Sequence, residues 1–367
     1  MKVLLCSPFE GHIGGIVKWT KGIVDYYKES SQNSSVELEV YSLSRKRAVY
    51  SNDNFFTRFF YGVKEYIPLL INFKKKLFST NYDIVHISSS GSFGLLRDLF
   101  LLHLSKKSKI KTVIHFHFGR IPVIFGNNNW EKYLLEKVLK LANKVIVMDN
   151  NSFEALHNYG FANVIYLPNP LNSNAEEIIA INYNKTQRKA RTIVFVGHMV
   201  ATKGVFELIE ACKQIDDVQV DFIGYVSRDT REKLKKAIGN DFSRIKIHGE
   251  KEYSDTIKHM LATEIFVLPS YSEGFPNVIL ESMACGCAII ATNVGAIPEI
   301  LNVKNEGLSC GICVETHNAL QLKNAIENML NDNQFALNCK TNALKRVSES
   351  YSISFVWPEI VKIWHSV

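Results

Sequence analysis

Short runs of β-branched and apolar residues, each followed by a stretch long enough for a helix, recur along this 367-residue chain. In the first half they are Val3–Cys6, Val36–Tyr41, Ile84–Ile87, Val113–His117, Val145–Met148 and Val164–Tyr166. In the second they are Thr192–Val196, Val220–Ile223, Ile245–Ile247, Ile265–Leu268, Ala288–Ala291 and Ile312–Val314. A strand that is apolar throughout must be covered on both faces, which parallel sheets achieve by returning through helices. Helical periodicity fills the gaps, as at Trp130–Leu141, Val205–Gln214, Thr230–Ile238 and Pro276–Ala284. The series occurs twice, on either side of the polar stretch 171–191, which has no strand pattern until Thr192. Single cores stop growing near ~250–300 residues. The chain therefore reads as α/β, with two Rossmann-like domains at 1–175 and 190–350 joined by that linker. Residues 351–367 carry Phe355, Trp357, Ile360, Val361 and Trp364, too much apolar bulk for a free tail. They are expected to cross back as a helix onto the first domain.

A composition of 46% hydrophobic and 22% charged residues excludes a disordered or fibrous chain. Seven cysteines, an odd number without framework spacing, argue against a secreted disulfide protein. The apolar run at the N-terminus stops at Ser7 and Pro8, too short for a signal peptide and suited to a buried first strand. No apolar run approaches the ~18 residues of a spanning helix. The expected location is cytoplasmic, with any membrane contact peripheral, on the inner face of the cell membrane.

The net charge of +7 is unevenly spread. Residues 1–180 hold 22 basic against 15 acidic residues, and 181–367 hold 21 of each. The excess concentrates in 45–111, with 13 against 4, and calls for an anionic partner. Within it, residues 54–78 place Phe55, Phe59, Tyr66, Leu69, Phe73 and Leu77 at helical spacing beside Lys74–Lys76. Pro68 favours two shorter helices over one. The segment reads either as an interfacial helix on an anionic membrane or as an amphipathic helix packed on the sheet. Nucleic acid is not expected, since no recognition module is visible.

The densest chemistry lies in Ser270–Glu299, SYSEGFPNVILESMACGCAIIATNVGAIPE. Glu273 precedes a helix opened by Pro276, and Glu281 lies one to two turns into it. Gly274 and the first N–H groups, near Asn277 and Val278, make a phosphate-seeking helix N-terminus. Two carboxylates flanking an anion cradle suit a ligand with hydroxyls at both ends and phosphates between, as in a nucleotide-sugar.

Glu273 and Glu281 form an E-x7-E pattern which, with GFPNVILE, MACG and Gly295–Glu299, resembles glycosyltransferase family 4, retaining enzymes of the GT-B superfamily. The resemblance implies a GT-B fold: two Rossmann-like domains with parallel sheets facing across a cleft, acceptor on the N-terminal and donor on the C-terminal domain. It implies that Glu273 contacts the transferred sugar, that the Gly274 and Phe275 backbone helps fix it, and that Glu281 holds the ribose. In GHMVATKG, residues 197–204, Lys203 matches the family lysine that holds the diphosphate, while His198 stands where the family has arginine. In GHIGG, residues 11–15, Gly14 and Gly15 match the loop over the donor phosphate. In HFHFGR, residues 115–120, His117 matches the acceptor-side histidine near the transferred sugar. His115 is expected on the opposite side of the strand, as a satisfied structural histidine. LPNPLN, residues 167–172, resembles the turn closing the first domain.

Cys285/Cys287 and Cys310/Cys313 fall where the family has core residues around a glycine turn, so they are read as core and not as zinc ligands. No Asp-x-Asp is present to chelate a diphosphate-bound metal. Lysine and a helix N-terminus would then stabilise the leaving group, and no metal or other cofactor is expected. The expected activity is retaining, metal-independent hexosyl transfer from a UDP- or GDP-sugar to a glycan or lipid-linked acceptor, in bacterial surface polysaccharide or glycolipid synthesis. A GT-B nucleotide-sugar epimerase and a non-catalytic nucleotide-sugar-binding protein remain alternatives. Donor base, sugar and acceptor are not encoded in these motifs.

Overall fold

A computed structural model describes residues 1–10, 14–30, 35–44, 55–305 and 307–367, leaving aside the side chains of 55–65 and of Phe242. The described residues divide into two units, Met1–Pro170 with Ile353–Val367, and Leu171–Ser352.

In the first unit the strands are β1 (Lys2–Ser7), β2 (Glu37–Ser42), β3 (Ile84–Ser89), β4 (Lys111–Phe116), β5 (Lys144–Val147) and β6 (Val164–Tyr166). They form one parallel sheet in the order β2-β1-β3-β4-β5-β6. Alternation along β1 feeds two cores. Leu4 and Cys6 join Val85, Ile87, Ile114 and Phe116 on one face; Val3 and Leu5 join Ile84, Val113 and Ile146 on the other. The second face is covered by the helix Gly15–Ser30 and by the last helix, Ile353–His365, through Trp357, Ile360 and Trp364. The indole N–H of Trp364 donates to His86 Nδ1 at 2.9 Å.

The first face is covered in part by the helix Phe55–Ser79, which runs unbroken through Pro68 where two helices were expected. Its C-terminal half is held down: Phe73 and Leu77 enter the core, and the Tyr41 hydroxyl donates to the Leu69 carbonyl. This packing offsets the one backbone bond that proline removes. Tyr66, Leu69, Phe73 and Leu77 thus turn inward, as the packed-helix reading requires. Lys76 pairs with Glu39. Ile67, Ile71 and Phe78 face outward beside Lys74 and Lys75. Asn54 and the side chains of Phe55 and Phe59 lie outside the described residues.

The second unit contains β7 (Thr192–Val196), β8 (Gln219–Ile223), β9 (Ile245–Gly249), β10 (Ile265–Leu268), β11 (Ala288–Thr292) and β12 (Ile312–Val314). Their parallel sheet has the order β12-β11-β10-β7-β8-β9. The chain begins at β7 in the middle, winds outward to β9, then returns to β10 and winds the other way. Such a reversal is a topological switch point, where loops at the carboxyl ends of the two central strands diverge and leave room for a ligand. Here the two strands are β7 and β10.

Residues 171–191, read from sequence as a linker, belong to this unit and carry the helix Ser173–Asn182. Asn172 caps it, Ala175 and Ile179 are buried, and Arg188 donates to the carbonyls of Thr263 and Cys285. The segment's high polarity masked a two-residue apolar stripe. No helix among the described residues is long and apolar enough to cross a membrane.

Candidate functional site

Both loops of the switch point in the second unit carry predicted residues. After β7 the chain runs through Gly197 and His198 to a turn of 3-10 helix, Ala201–Lys203, and then Gly204 at φ +67°. A Cβ on Gly204 would stand 2.0 Å from the Pro269 carbonyl oxygen, so glycine is what lets this loop touch the one after β10. The Tyr271 N–H donates to the Thr202 carbonyl and fastens the two together.

After β10 come Glu273, Gly274, Phe275 and Pro276, then the helix Asn277–Ala284. Pro276 sits at the N-cap in extended conformation, one residue earlier than the first-turn position expected for it. Asn277 and Val278 form the first turn, and Glu281 faces inward, buried. Phe275 is buried against Tyr351, so only its backbone can meet a ligand.

Lys203 and Glu273 are seventy positions apart and meet at 2.6 Å between Nζ and Oε1. The carboxylate side chain retains 13% of its exposure and the lysine 30%, so the pair lies at the surface, open to a ligand. Glu281 accepts a 2.8 Å hydrogen bond from the Tyr253 hydroxyl. Burial and the adjacent carboxylate push Tyr253 far above the usual phenol range, which keeps it a proton donor. Tyr253 opens the helix Tyr253–Leu261 and went unnoticed in the sequence, where nothing marks a tyrosine 28 positions from its partner. Gly295, at φ +56° after β11, backs the site: a Cβ there would lie 2.3 Å from the Glu273 carbonyl oxygen. The Ala296 N–H bonds the Gly274 carbonyl at 2.9 Å.

His198 is exposed, with its ring 5.8 Å from that of Tyr225. Cys285 and Cys287 are buried, with thiols near the carbonyls of Ile257 and Met260 and pushed upward chiefly by desolvation. They are core residues.

In the first unit, Gly15 begins the helix after β1 and Gly14 precedes it, and a Cβ at either would meet nothing within 4 Å. Gly11 to Ile13 lie outside the described residues. His117 follows β4, its N–H bonded to the Ser89 carbonyl. The expectation for His115 fails: its ring lies 4.1 Å from that of His117, on the same side. Strand side chains alternate, so residues two apart share a face. Nor is His115 satisfied, for neither ring nitrogen has a hydrogen-bond partner among the described residues. Trp19 packs against both rings, and His86 lies 5.7 Å from His115. Desolvation holds His86 and His117 to about 3 and His115 well below the ordinary imidazole range, so all three are neutral at pH 7. A hydrogen bond with Asn169 pulls His117 slightly the other way. Arg120 is structural, bridging Glu131 and the Ser92 hydroxyl.

Residues 24–174 match the family model described as Glycosyltransferase Family 4, and residues 178–346 match that of Glycosyl transferases group 1. An uncharacterized glycosyltransferase of Methanocaldococcus jannaschii is 25% identical over 98% of this chain and 96% of its own. The capsular polysaccharide biosynthesis glycosyltransferase CapM of Staphylococcus aureus is 24% identical over 92% of this chain and 87% of its own. Among solved structures, HepE of Anabaena in complex with UDP superposes with a TM-score of 0.74 at 18% identity, covering 100% of both chains.

Proposed function

Since the chain belongs to the GT-B glycosyltransferases of family 4, we propose that it transfers a hexose, with retention, from a nucleotide-sugar to a glycan or lipid-linked acceptor in bacterial surface polysaccharide or glycolipid synthesis. The observation that carries this reading is the Lys203–Glu273 pair at the switch point, with Glu281 eight residues on, fixed by Tyr253. A cation held by one carboxylate, with a second carboxylate eight residues on, suits a diphosphate flanked by polyols. The capsular relative supports the pathway, and the UDP held by the structural neighbour supports a nucleotide diphosphate donor.

In this reading Lys203 leaves Glu273 for the donor diphosphate, and Glu273 turns to the hydroxyls of the sugar. The acceptor oxygen bonds to the anomeric carbon on the face from which the phosphate oxygen departs, and the acceptor proton passes to that oxygen. Lys203 and the backbone N–H groups of Asn277 and Val278 stabilise the charge developing there. Glu281 orients the ribose, and His198 is a further phosphate donor. We assign acceptor handling to the first unit, where neutral His117 can donate or accept a hydrogen bond, and Gly14 and Gly15 to donor phosphate. The chain has no Asp-x-Asp, and the step is assigned no metal.

Purified protein, screened by thermal shift against UDP-, GDP- and ADP-sugars, should be stabilised by its donor through mass action. With that donor, Lys203→Met and Glu273→Gln are expected to lower turnover roughly 10²–10³-fold, the loss typical for a charge-stabilising donor group. Digestion with anomer-specific glycosidases then reads the configuration. Unchanged turnover in both variants, an inverted product, or isomerisation of the donor without acceptor would each refute the proposal.

A further inference from the structure

We propose that Asp221, His248 and His259 form a binding site for one divalent transition-metal ion of the zinc class. They come from three elements of the second unit: Asp221 from β8, His248 from β9 and His259 from the helix Tyr253–Leu261. His248 Nε2 lies 2.6 Å from Asp221 Oδ1, and His259 Nε2 lies 2.9 Å from Asp221 Oδ2. The ligand-capable atoms of the three residues all fall within 4.8 Å of one another.

The backbone builds this arrangement. β9 pairs with β8 in regular register as far as Ile247 opposite Phe222; then Gly249 stands opposite Ile223, leaving His248 as the extra residue of a bulge. Bulges re-aim a side chain, and this one brings the His248 ring to 5.3 Å from that of His259, edge to face. The three side chains keep between 21% and 27% of their exposure, enough for an ion to enter and for water to complete its shell.

The donor set decides the class of ion. Two imidazole nitrogens and one carboxylate suit zinc, cobalt, nickel or copper, whereas magnesium and calcium require an all-oxygen shell. An ion held at ~2.0–2.2 Å from each ligand draws tetrahedral ligands to separations near ~3.3 Å. The two hydrogen-bond distances, 2.6 and 2.9 Å, are a little shorter than that, so loading needs only a small opening of each pair. Without metal, a neutral ring donates its Nε2–H to the carboxylate. On loading, that proton moves to Nδ1 and the Nε2 lone pair binds the ion; a ring already protonated releases one proton to solvent. None of the three residues is among those assigned to the donor. The ion would cross-link two strands to the helix whose first residue, Tyr253, holds Glu281.

The test uses the full chain, stripped with a chelator and dialysed. Zinc chloride titrated by calorimetry should show one equivalent bound at micromolar free ion, with magnesium chloride showing none. Cobalt chloride should give the visible absorption of a four- or five-coordinate site without the near-ultraviolet thiolate-to-cobalt band that the cysteines would produce. His248→Gln and His259→Gln should each weaken zinc binding by roughly tenfold or more. The site is overturned if the wild-type chain takes up no stoichiometric zinc, if the cobalt spectrum is octahedral or thiolate-based, or if both variants bind as wild type. The wild-type spectrum decides the question even if a variant fails to fold.

Discussion

Gly295→Ala should disable the site while leaving the fold standing. At φ +56° an L-residue pays ~1–2 kcal/mol of left-handed strain. The added Cβ would stand 2.3 Å from the Glu273 carbonyl oxygen and 2.7 Å from that of Gly274, where real Cβ atoms keep at least 3.0 Å. Both neighbours are backbone, so one loop must retreat by about 0.7 Å, the difference between 3.0 and 2.3 Å. The loop that gives way carries Glu273, whose carboxylate is set against Lys203 at 2.6 Å. Misplacement by ~1 Å at a reacting centre costs up to ~10²-fold in rate, so a 10- to 100-fold fall in kcat is expected. The left-handed strain alone, up to ~2 kcal/mol in a unit of 182 residues, Leu171–Ser352, lowers Tm by ~4–8 °C. The control is Gly307→Ala in the same unit, at φ +81° with nothing within 4 Å of its Cβ. It should lower Tm by a comparable strain and leave kcat unchanged. Donor turnover beside a thermal melt separates the two effects. Wild-type kcat in Gly295→Ala, or an equal loss in Gly307→Ala, refutes the argument that this glycine positions Glu273.

Stability of the first unit should fall steeply in mild acid. The fully buried His86 and His115 have folded-state values far below the unfolded 6.5, so the unfolded chain binds protons that the folded chain does not. Their stability is complete above pH 6.5 and is lost as pH falls below it, toward about 3 for His86, at ~2.7 kcal/mol per pH unit while both rings stay neutral in the folded chain. Melting curves between pH 7 and 4 check this, and a flat profile to pH 5 would contradict the buried neutral pair. If the outward face of the helix Phe55–Ser79 meets anionic lipid, the chain should co-sediment with vesicles containing phosphatidylglycerol and be released by salt. Replacing Ile67, Ile71 and Phe78 with serine should abolish that binding, and persistence after the change would exclude this face.

Much of the fold was legible because it rests on local rules. Each apolar run became a strand within a residue or two, since a parallel strand is identified by what covers it and not by its partner. Glu273, Glu281 and Lys203 stood out because their glycine and helix-start settings are contiguous in the chain. His115 shares a face with His117 because strand side chains repeat every two residues, a period legible in His115, Phe116 and His117 themselves. The helix within 171–191 was hidden because Ala175 and Ile179 are too few to mark a stripe in a polar segment.

The sequence by itself determined the two parallel α/β halves, the glycine-bounded loops and the residue types gathered at the helix N-terminus, since all of these depend on neighbours within a few turns. Only the tertiary structure decided that Lys203 meets Glu273, that Tyr253 holds Glu281, and that Asp221, His248 and His259 converge. Those contacts join residues 27 to 70 positions apart, brought together by strand order and, at His248, by a bulge. Sheet order arises from packing both faces of every strand at once, and no local spacing in the chain encodes it.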